Sequence, residues 1–463
     1  MNRAALFACC LALVPAGASA QALAPGEQRL HDIYRELIEI RTVHPDGDNT
    51  AAAQAMAKRL LDAGFDAKDV EVVVPAPLKG NLVARLRGTG ELKPLLLLAH
   101  LDVVEAKKED WSDGLDPFKL TEKDGYYYAR GSIDDKSMAS IFVANLIRLR
   151  SEGFRGKRDI IVALTADEEG GPSNGVQWLL ANRRALIDAE LALNEGGSGE
   201  WKAGKPSTHA IQVGEKVYQS FEFVATNAGG HSSVPERVNA IYDIAGALER
   251  LSAYRFPARL SPVTSAYFSR IATGEPGAMG EAVAATAAGR ATEEQLERVS
   301  TVPRFNAQLR TTCVATQLEG GHAQNALPQR ARAVVNCRIL PGDDPEAIAR
   351  ELRRIAGERV SVKALQQAVA SGAADTSSPA MRTIERVSES MWPGIPVVPV
   401  MSTGATDGLR LRNAGIPTYG TSGIFTESGE NRLHGRDERV PVHSFYGGAE
   451  YLYRLVKALA AGL

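Results

Sequence analysis

Cysteine is scarce in this sequence, and neither sign of charge is in excess. Four cysteines occur in 463 residues, and 53 Lys and Arg nearly balance 55 Asp and Glu. The low cysteine content excludes a disulfide-rich scaffold, and the charge balance removes the electrostatic reason to expect nucleic acid as a partner. No apolar run is long enough to span a bilayer, so we expect no stable membrane insertion. The length predicts two domains of ordinary globular composition.

The N-terminal segment is typical of a secretory signal peptide. MNRAALFACCLALVPAGASA carries one Arg, a short apolar run and a small-residue pattern that ends at Ala20, where cleavage is expected. A lipid-anchored alternative would use Cys9, but the apolar run before it is very short. The segment therefore predicts an exported protein, periplasmic or secreted.

Signal cleavage removes Cys9 and Cys10 and leaves Cys313 and Cys337. Both lie on predicted strands that flank one turn region, and an oxidising compartment permits them to pair. A disulfide and a pair of buried free thiols are both compatible with the sequence.

Strands and helices alternate over most of the chain. Strands such as PLLLLAHLDVV and RDIIVALTADEE are apolar throughout, and helical segments separate them. A strand that is apolar on both sides is covered on both sides. The pattern therefore predicts an α/β fold, with a mostly parallel sheet and helices on both faces.

A different pattern occupies the middle of the chain. AIQVGEKVYQSFEFVAT alternates apolar and polar residues, as a half-exposed antiparallel strand does, and residues 255–310 contain helical pieces without a clear strand. We expect a smaller α+β lid or dimerisation domain inserted at residues 209–341, with an end that could extend to about 378. The main domain would then comprise residues 21–208 and 342–463.

Acidic and imidazole side chains follow several of the apolar strands. The candidates are His100, Asp102, Asp134, Asp135, Asp167, Glu168, Glu169 and Glu195. In open parallel sheets, ligands bind beyond the carboxyl ends of the strands. Carboxylates gathered there repel one another unless a positive charge lies among them, and His with Asp and Glu suits zinc. Each motif alone also fits a surface turn or a helix N-cap, but their combination predicts a divalent metal site.

Together the motifs resemble the co-catalytic zinc metallopeptidases, the family of carboxypeptidase G, carnosinase, succinyl-diaminopimelate desuccinylase, the aminoacylases and yeast carboxypeptidase S. The resemblance covers nearly the whole mature chain and rests on HLDVV, YYARGSIDDKS, ALTADEEGG, LNEGG, GGHSS, NALP, CRILPG, STGATDG and RLHGRDERV. It implies two Zn²⁺ per subunit, or Co²⁺ or Mn²⁺ in their place. The implied ligands are His100, Asp134, Glu169, Glu195 and His434.

The resemblance also implies a separate role for each of several acidic residues. Asp134 would bridge the two ions, and the peptide bond after it would be cis. Glu168 would be the general base, and Asp102 would fix the His100 ring, because a ligand imidazole needs a partner on its other nitrogen.

Further roles are implied in the inserted domain and near the C-terminus. His231 would reach a catalytic site, often that of the partner subunit, which would make the protein a homodimer. Asn325 would contact the substrate, and Arg338 would bind its carboxylate with the guanidinium fork. Gly404 and Thr406 would line the same carboxylate pocket.

Two residues depart from the family pattern. Ser137 stands where Gly is usual after the Lys of IDDK, and Ala405 replaces a second Gly beside Gly404. The first change leaves the ligand set intact, and the second changes the expected carboxylate pocket. The remaining histidines match no ligand position and are interpreted as structural or surface residues: His31, His44, His209, His322 and His443. Tyr126–Tyr128 is interpreted as a strand rather than an aromatic binding platform.

Two substrate classes follow from the resemblance. The first is a small peptide, cleaved next to a residue with a free carboxylate by a carboxypeptidase or dipeptidase. The second is an N-acyl amino acid, because residues 255–310 resemble the lid of the carboxypeptidase S and N-acyl amino acid hydrolase branch. A non-catalytic protein with this fold would have lost part of the site, whereas here every ligand and the base are present.

Overall fold

The computed structural model describes residues 23–430 and 432–463, so the predicted signal peptide, residues 1–20, lies outside the described residues. None of the helices in the described part is long and apolar enough to span a bilayer. The helices are α1 (Pro25–Glu39), α2 (Asn49–Asp62), α3 (Lys136–Ser151), α4 (Gly175–Asn182), α5 (Arg184–Ile187), α6 (Ala240–Ala253), α7 (Pro262–Ile271), α8 (Gly277–Ala287), α9 (Glu293–Ser300), α10 (Pro303–Leu309), α11 (Pro345–Ala356), α12 (Pro379–Met391), α13 (Gly408–Asn413) and α14 (Val442–Ala461).

Four sets of hydrogen-bonded strands accompany these helices in the described residues. The strands are β1 (Val70–Val73), β2 (Asn81–Leu86), β3 (Leu95–His100), β4 (Thr121–Lys123), β5 (Tyr126–Tyr128), β6 (Ile160–Thr165), β7 (Leu191–Asn194), β8 (Gly199–Lys202), β9 (Lys205–Glu215), β10 (Val217–Thr226), β11 (Gly230–His231), β12 (Thr312–Gly320), β13 (Ala326–Leu327), β14 (Arg330–Ile339), β15 (Val360–Ala364), β16 (Val397–Ser402), β17 (Thr418–Gly420), β18 (Phe425–Glu427) and β19 (Arg439–Pro441).

The largest sheet confirms the predicted α/β fold. Its order is β1-β2-β6-β3-β7-β17-β9-β8-β18, with β16 paired to β9. The β3, β6, β7 and β17 strands run parallel, while β1 and β2 form an antiparallel edge. Every residue of β3 is buried. Alternate β3 side chains belong to two separate core clusters, with Leu95 and Leu97 in one and Leu96 and Leu98 in the other. Helices therefore cover both faces, as the continuous apolar run predicts.

A second sheet has the order β12-β14-β10-β15 and is antiparallel. The α6 and α11 helices pack on it over an independent hydrophobic core. Its strands lie between residues 217 and 364, whereas β9 (Lys205–Glu215) belongs to the main sheet. The alternating segment predicted as one strand is therefore two, which divide at Lys216, and the sheets change there rather than at residue 209.

Lys216 lies at the point where the strand divides. Its side chain is buried, and its Nζ donates to the carbonyl oxygens of Ala307 at 3.0 Å and Arg310 at 2.7 Å. Burial lowers the pKa of the Lys216 ammonium to about 7. The Lys216 side chain therefore links the point where the chain passes from β9 to β10 to the C-terminal end of α10.

The segment of helical pieces forms a small unit made of α7, α8, α9 and α10. It has its own apolar cluster, which includes Phe268, Val283 and Phe305. No strand of the described residues falls within it, in agreement with the sequence pattern.

The two remaining cysteines form a disulfide in the structure. Cys313 on β12 and Cys337 on β14 are directly opposite in the antiparallel register, and their sulfur atoms are bonded. Of the two open possibilities, the structure therefore has the cross-strand bridge.

Candidate metal centre

The β3 strand ends in the first candidate ligand, His100. Its Nε2 lies 2.9 Å from Asp134 Oδ1 and 3.9 Å from Glu195 Oε2. Its Nδ1 lies 2.9 Å from the backbone carbonyl oxygen of Asp102. A donor bond from Nδ1 to that carbonyl leaves Nε2 with a lone pair towards the acidic groups, which is the tautomer that a ligand imidazole needs.

The Asp102 carboxylate has a different neighbourhood from the one expected. Its Oδ1 is 3.7 Å from His100 Nδ1, and the two oxygens instead accept the backbone N–H groups of Glu168 at 3.1 Å and Glu169 at 2.9 Å. Asp102 therefore orients the ring through its main chain, while its carboxylate holds the turn that carries both glutamates.

Asp134 stands between two imidazoles. Its Oδ1 faces His100 Nε2, and its Oδ2 lies 3.1 Å from His434 Nε2. The Asp134–Asp135 peptide bond is cis, as the resemblance implied. His434 Nε2 also lies 2.9 Å from Glu169 Oε1. One carboxylate therefore touches both halves of the cluster, which is the arrangement a bridging ligand requires.

Two overlapping groups of side chains could each hold a cation. The ligand atoms of His100 and Glu195 lie within 4.8 Å of one another, with an oxygen of the predicted base Glu168 equally close, and those of His100, Asp134 and Glu169 form the second group. Oxygen and imidazole nitrogen donors in two adjoining sets fit a pair of Zn²⁺, Co²⁺ or Mn²⁺ ions. All five predicted ligands lie together in this cluster, as does the predicted base.

Burial and neighbouring charges shift the pKa values of the cluster. Burial is the main reason that the pKa values of the Glu168, Glu195 and Asp135 carboxyls lie well above the usual range. Hydrogen bonds with Asp134 and Glu169 raise the pKa of His434 to about 10. Burial opposes protonation of His100, but its contacts with Asp134 and Glu195 outweigh that effect and raise its pKa. In the absence of a metal, these carboxyl and imidazole groups therefore hold protons more firmly than usual, and a bound cation would displace those protons.

These shifts predict how metal stabilisation depends on pH. Groups with a raised pKa in the folded state stabilise the metal-free protein at low pH and lose that contribution as the pH rises through their folded values. A bound cation replaces the protons, so the gain in melting temperature on adding Zn²⁺ to chelator-treated protein should grow between about pH 5 and pH 8. Thermal unfolding with and without Zn²⁺ across that range measures the gain, and a constant or falling gain would contradict the prediction. Titratable groups remote from the cluster contribute equally with and without Zn²⁺, so their contributions cancel in this comparison.

A buried ion pair supports two of the ligands. Arg130 Nη1 donates to Glu438 Oε2 at 2.6 Å, and its Nη2 donates to the His434 carbonyl oxygen at 3.2 Å. The other Glu438 oxygen accepts the backbone N–H groups of Ile133 at 2.9 Å and Asp134 at 3.3 Å. Each member of the pair thus bonds to the main chain at or beside a ligand, and together they connect Asp134 with His434.

A second buried pair lies beside the glutamate turn. Asp167 has a left-handed φ of 58°, and its buried carboxylate forms an ion pair with Lys79 Nζ at 2.8 Å and accepts from the Ser173 backbone N–H at 3.2 Å. These contacts fix the backbone immediately before Glu168.

The sequence predictions missed the supporting roles of Arg130, Glu438 and Lys79. Arg130 and Glu438 lie inside the motifs YYARGSIDDKS and RLHGRDERV, so the motifs contained a signal for them. Lys79 lies in no motif, and its role depends on a contact between residues far apart in the chain.

The loop that carries Gly404 and Thr406 adjoins the glutamate turn. Asn174 Nδ2 donates to Asp407 Oδ1 at 2.7 Å and to the Asp167 carbonyl oxygen at 3.2 Å. The Thr406 N–H donates to the buried Glu215, and Gly404 N–H donates to a nearby serine hydroxyl at 3.0 Å. The structure thus places this loop beside the metal cluster, with its backbone donors in internal bonds.

The residues predicted for the inserted domain lie apart from the cluster. His231 is exposed on the β11–β13 ribbon, and the Ser232 N–H donates to the Asn325 carbonyl oxygen at 3.0 Å. Arg338 on β14 lies over the Tyr218 ring, 4.6 Å from its centroid. Within the described chain, no side-chain hydrogen bond or ion pair joins these three residues to the metal cluster. Their roles stay predictions.

His209 and the tyrosine run behave as interpreted. His209 is buried among Trp392, Phe425 and Tyr451, and burial lowers its pKa to about 3. Tyr126–Tyr128 is a strand, with Arg439 over the Tyr126 ring at 3.9 Å.

Clustered His, Asp and Glu beyond the strands of a covered parallel sheet fit a divalent metal site. Residues 96–458 match peptidase family M20/M25/M40, and the chain belongs to that family, whose members hydrolyse peptide or other amide bonds. Human aminoacylase-1 is 27% identical over 443 residues, which cover 93% of this chain and 95% of that protein.

Solved structures share the fold over nearly the full length. An M20 family metallo-carboxypeptidase from Sulfolobus solfataricus has a TM-score of 0.69 at 18% identity, with 94% of this chain and 100% of that one covered. The Bacillus subtilis YXEP protein, a dinuclear metal-binding peptidase of the M20 family, has a TM-score of 0.60 at 12% identity, with 95% and 99% covered.

Proposed function

We propose that this chain is a zinc-dependent exopeptidase that hydrolyses the amide bond next to a residue with a free carboxylate, as a carboxypeptidase or dipeptidase does. The observation that carries the proposal is the contact of Asp134 with both His100 and His434, which joins two metal-ligand sets around one carboxylate. Two divalent cations held there would polarise the substrate carbonyl and lower the pKa of water.

The side chains of the protein supply the proton transfers. Glu168 lies within the cluster, on a turn fixed by Asp102 and Asp167. Its carboxylate would accept a proton from the attacking water and deliver it to the leaving nitrogen. Because burial keeps the pKa of Glu168 above that of an ordinary glutamate, the acid form is accessible for the second step.

Replacement of Arg338 tests whether the substrate needs a free carboxylate. With Zn²⁺ present, we expect hydrolysis of peptides with a free C-terminus and little hydrolysis of their C-terminal amides. Arg338→Ala should lower kcat/KM on the free acids by about 10–100-fold, the worth of a hydrogen-bonded charge pair. Arg332→Ala is the matched control, since Arg332 lies on the same strand and pairs with Glu222 at 2.5 Å. Equal rates on acids and amides would exclude the carboxylate contact.

A second candidate is the hydrolysis of N-acyl amino acids. The similarity to human aminoacylase-1 over nearly both full lengths favours it. The same zinc centre and base would serve this reaction, because both substrates present an amide carbonyl beside a carboxylate. An assay of N-acetyl amino acids beside the peptides distinguishes the two, by which class has the higher kcat/KM.

Export and dimerisation complete the proposal. The N-terminal pattern of residues 1–20 supports export to the periplasm, with secretion as the alternative. The exposed position of His231 on its ribbon supports use of this imidazole by a partner subunit, in a homodimer formed through the inserted domain. His231 Nδ1 is engaged by the Ser233 hydroxyl at 2.7 Å, which leaves Nε2 for that role.

A further inference from the structure

Arg338 is a half-buried guanidinium without an acidic partner. On the same strand, Arg332 pairs with Glu222, whereas among the described residues Arg338 forms no ion pair. Its Nε donates to Asn336 Oδ1 at 3.3 Å, and its two Nη groups have no hydrogen-bond acceptor in the described part of the chain. Two free N–H-bearing groups side by side on a planar cation match the two oxygens of a carboxylate.

Tyr218 covers one side of this guanidinium. It lies directly opposite Arg338 in the antiparallel register of β10 and β14, and the guanidinium carbon is 4.6 Å from the centroid of its ring. The ring attracts the cation through a cation–π contact. The contact therefore restricts the rotation of the long arginine side chain.

Asn336 holds the guanidinium at its Nε edge. The amide of Asn336 is itself oriented, because its Nδ2 donates to the Ser220 hydroxyl at 3.1 Å. The Ser220 hydroxyl donates in turn to the Tyr218 hydroxyl at 3.3 Å. The three side chains thus form a chain of contacts that starts and ends at Arg338. Because the Nε–H is used in this chain, the Nη edge is the one left for a ligand.

The same stretch of backbone carries Tyr218 and holds the loop beside the glutamate turn. The Lys216 N–H donates to the Ser402 carbonyl oxygen at 2.9 Å, at the start of the loop that contains Thr406. Tyr218 follows Lys216 by two residues. Burial, and after it the charge of Arg338, lowers the pKa of the Lys216 ammonium, so the two cations are neighbours. The guanidinium therefore lies at the end of the second sheet that adjoins this loop.

We infer that Tyr218 and Asn336 are positioning residues for Arg338, and that they hold its Nη edge ready for the free carboxylate of the substrate. The inference rests on the proposed function and deepens it. An arginine side chain has several rotatable bonds, and their restriction on binding opposes affinity. Here the two contacts impose that restriction before the substrate arrives. The preference for a free carboxylate then depends on two residues besides the arginine itself.

Substitutions at both positions test the inference on peptide free acids and their C-terminal amides. Tyr218→Ala and Asn336→Ala should each lower kcat/KM on the free acids by about threefold to tenfold, mainly through KM. The low kcat/KM on the amides and the zinc content should not change. Tyr218→Phe keeps the ring and should stay within about twofold of the original enzyme. Tyr218 is 45% exposed, so its removal leaves the core intact.

The effect should require the guanidinium. In an Arg338→Ala background, Tyr218→Ala and Asn336→Ala should change kcat/KM by less than about twofold, because the group that they position is gone. Tyr254 provides the matched control, since Arg354 lies over its ring, 5.7 Å from the centroid, elsewhere in the inserted domain. Tyr254→Ala should leave the preference for acids over amides unchanged.

The outcomes separate the inference from the proposed function. Unchanged kcat/KM in both single variants, equal losses on acids and amides, or a full loss that persists in the Arg338→Ala background would each overturn the inference, while the original enzyme still hydrolyses free-acid peptides. No hydrolysis of free-acid peptides by the unaltered, zinc-loaded enzyme would overturn the proposed function together with it.

Discussion

Replacement of Glu168 by Gln is expected to lower kcat by about 10²–10⁴-fold while the zinc content stays unchanged. The amide has the same shape as the carboxyl group but cannot take a proton from water and return it to the leaving nitrogen. The turn itself should persist, because Asp102 holds it through backbone N–H groups that the substitution does not alter. Steady-state kinetics and metal analysis of the same preparation measure both effects.

The adjacent residue supplies the control. Glu169 Oε1 contacts His434 Nε2 at 2.9 Å, so Glu169→Gln should reduce zinc content as well as activity. Two neighbouring substitutions of the same chemistry would then differ in metal retention. If Glu168→Gln kept kcat within about twofold of the original enzyme, or lost its zinc, the assignment of Glu168 as the general base would be wrong.

Removal of Glu438 is expected to damage both the fold and the metal centre. Glu438→Ala leaves the Arg130 guanidinium buried without its partner and removes the acceptor for the Ile133 and Asp134 N–H groups. Breaking a buried pair in this way costs about 3–5 kcal/mol. Because the lost bonds hold the main chain at Asp134, the affinity for Zn²⁺ should fall as well. Denaturant unfolding and chelator competition measure the two losses.

A double substitution separates stability from metal binding. Arg130→Met with Glu438→Leu removes both buried charges, so its stability should recover part of the loss seen in Glu438→Ala. Its zinc affinity should stay low, since neither new side chain bonds to the backbone at Asp134 or His434. Asp159→Ala breaks the Arg85–Asp159 pair at 3.0 Å, outside the cluster, and should destabilise the fold without weakening zinc binding. Full recovery of zinc affinity in the double variant would refute the supporting role.

The sequence carried most of the information about the centre itself. The apolar strands ending in His100 and Glu195 predicted both the sheet and the position of ligands at its edge. These positions were predictable because a strand held in the sheet leaves few degrees of freedom to the side chains at its end, where the ligands lie. His434 and Asp134 needed the family resemblance, since no local periodicity links a C-terminal loop to a residue three hundred positions earlier.

Other features depended on contacts that a linear pattern does not encode. The alternating sequence pattern does not predict the division of β9 from β10 at Lys216, because the apolar and polar positions continue in phase from one strand into the other. The Asp102 carboxylate accepts two backbone N–H groups instead of contacting the His100 ring. Those N–H groups compete with the imidazole for the same acceptor. Lys79 acquires its significance only from a partner distant in the chain.

The order of strands in the main sheet has a consequence for synthesis of the protein. The β17 strand, Thr418–Gly420, lies between β7 and β9, both of which leave the ribosome much earlier. Until the last part of the chain is made, β7 and β9 have no common neighbour, and His434 has not yet been translated. Neither the sheet nor the metal centre can therefore be completed before this last part of the chain is available, and a chain truncated before residue 418 lacks both.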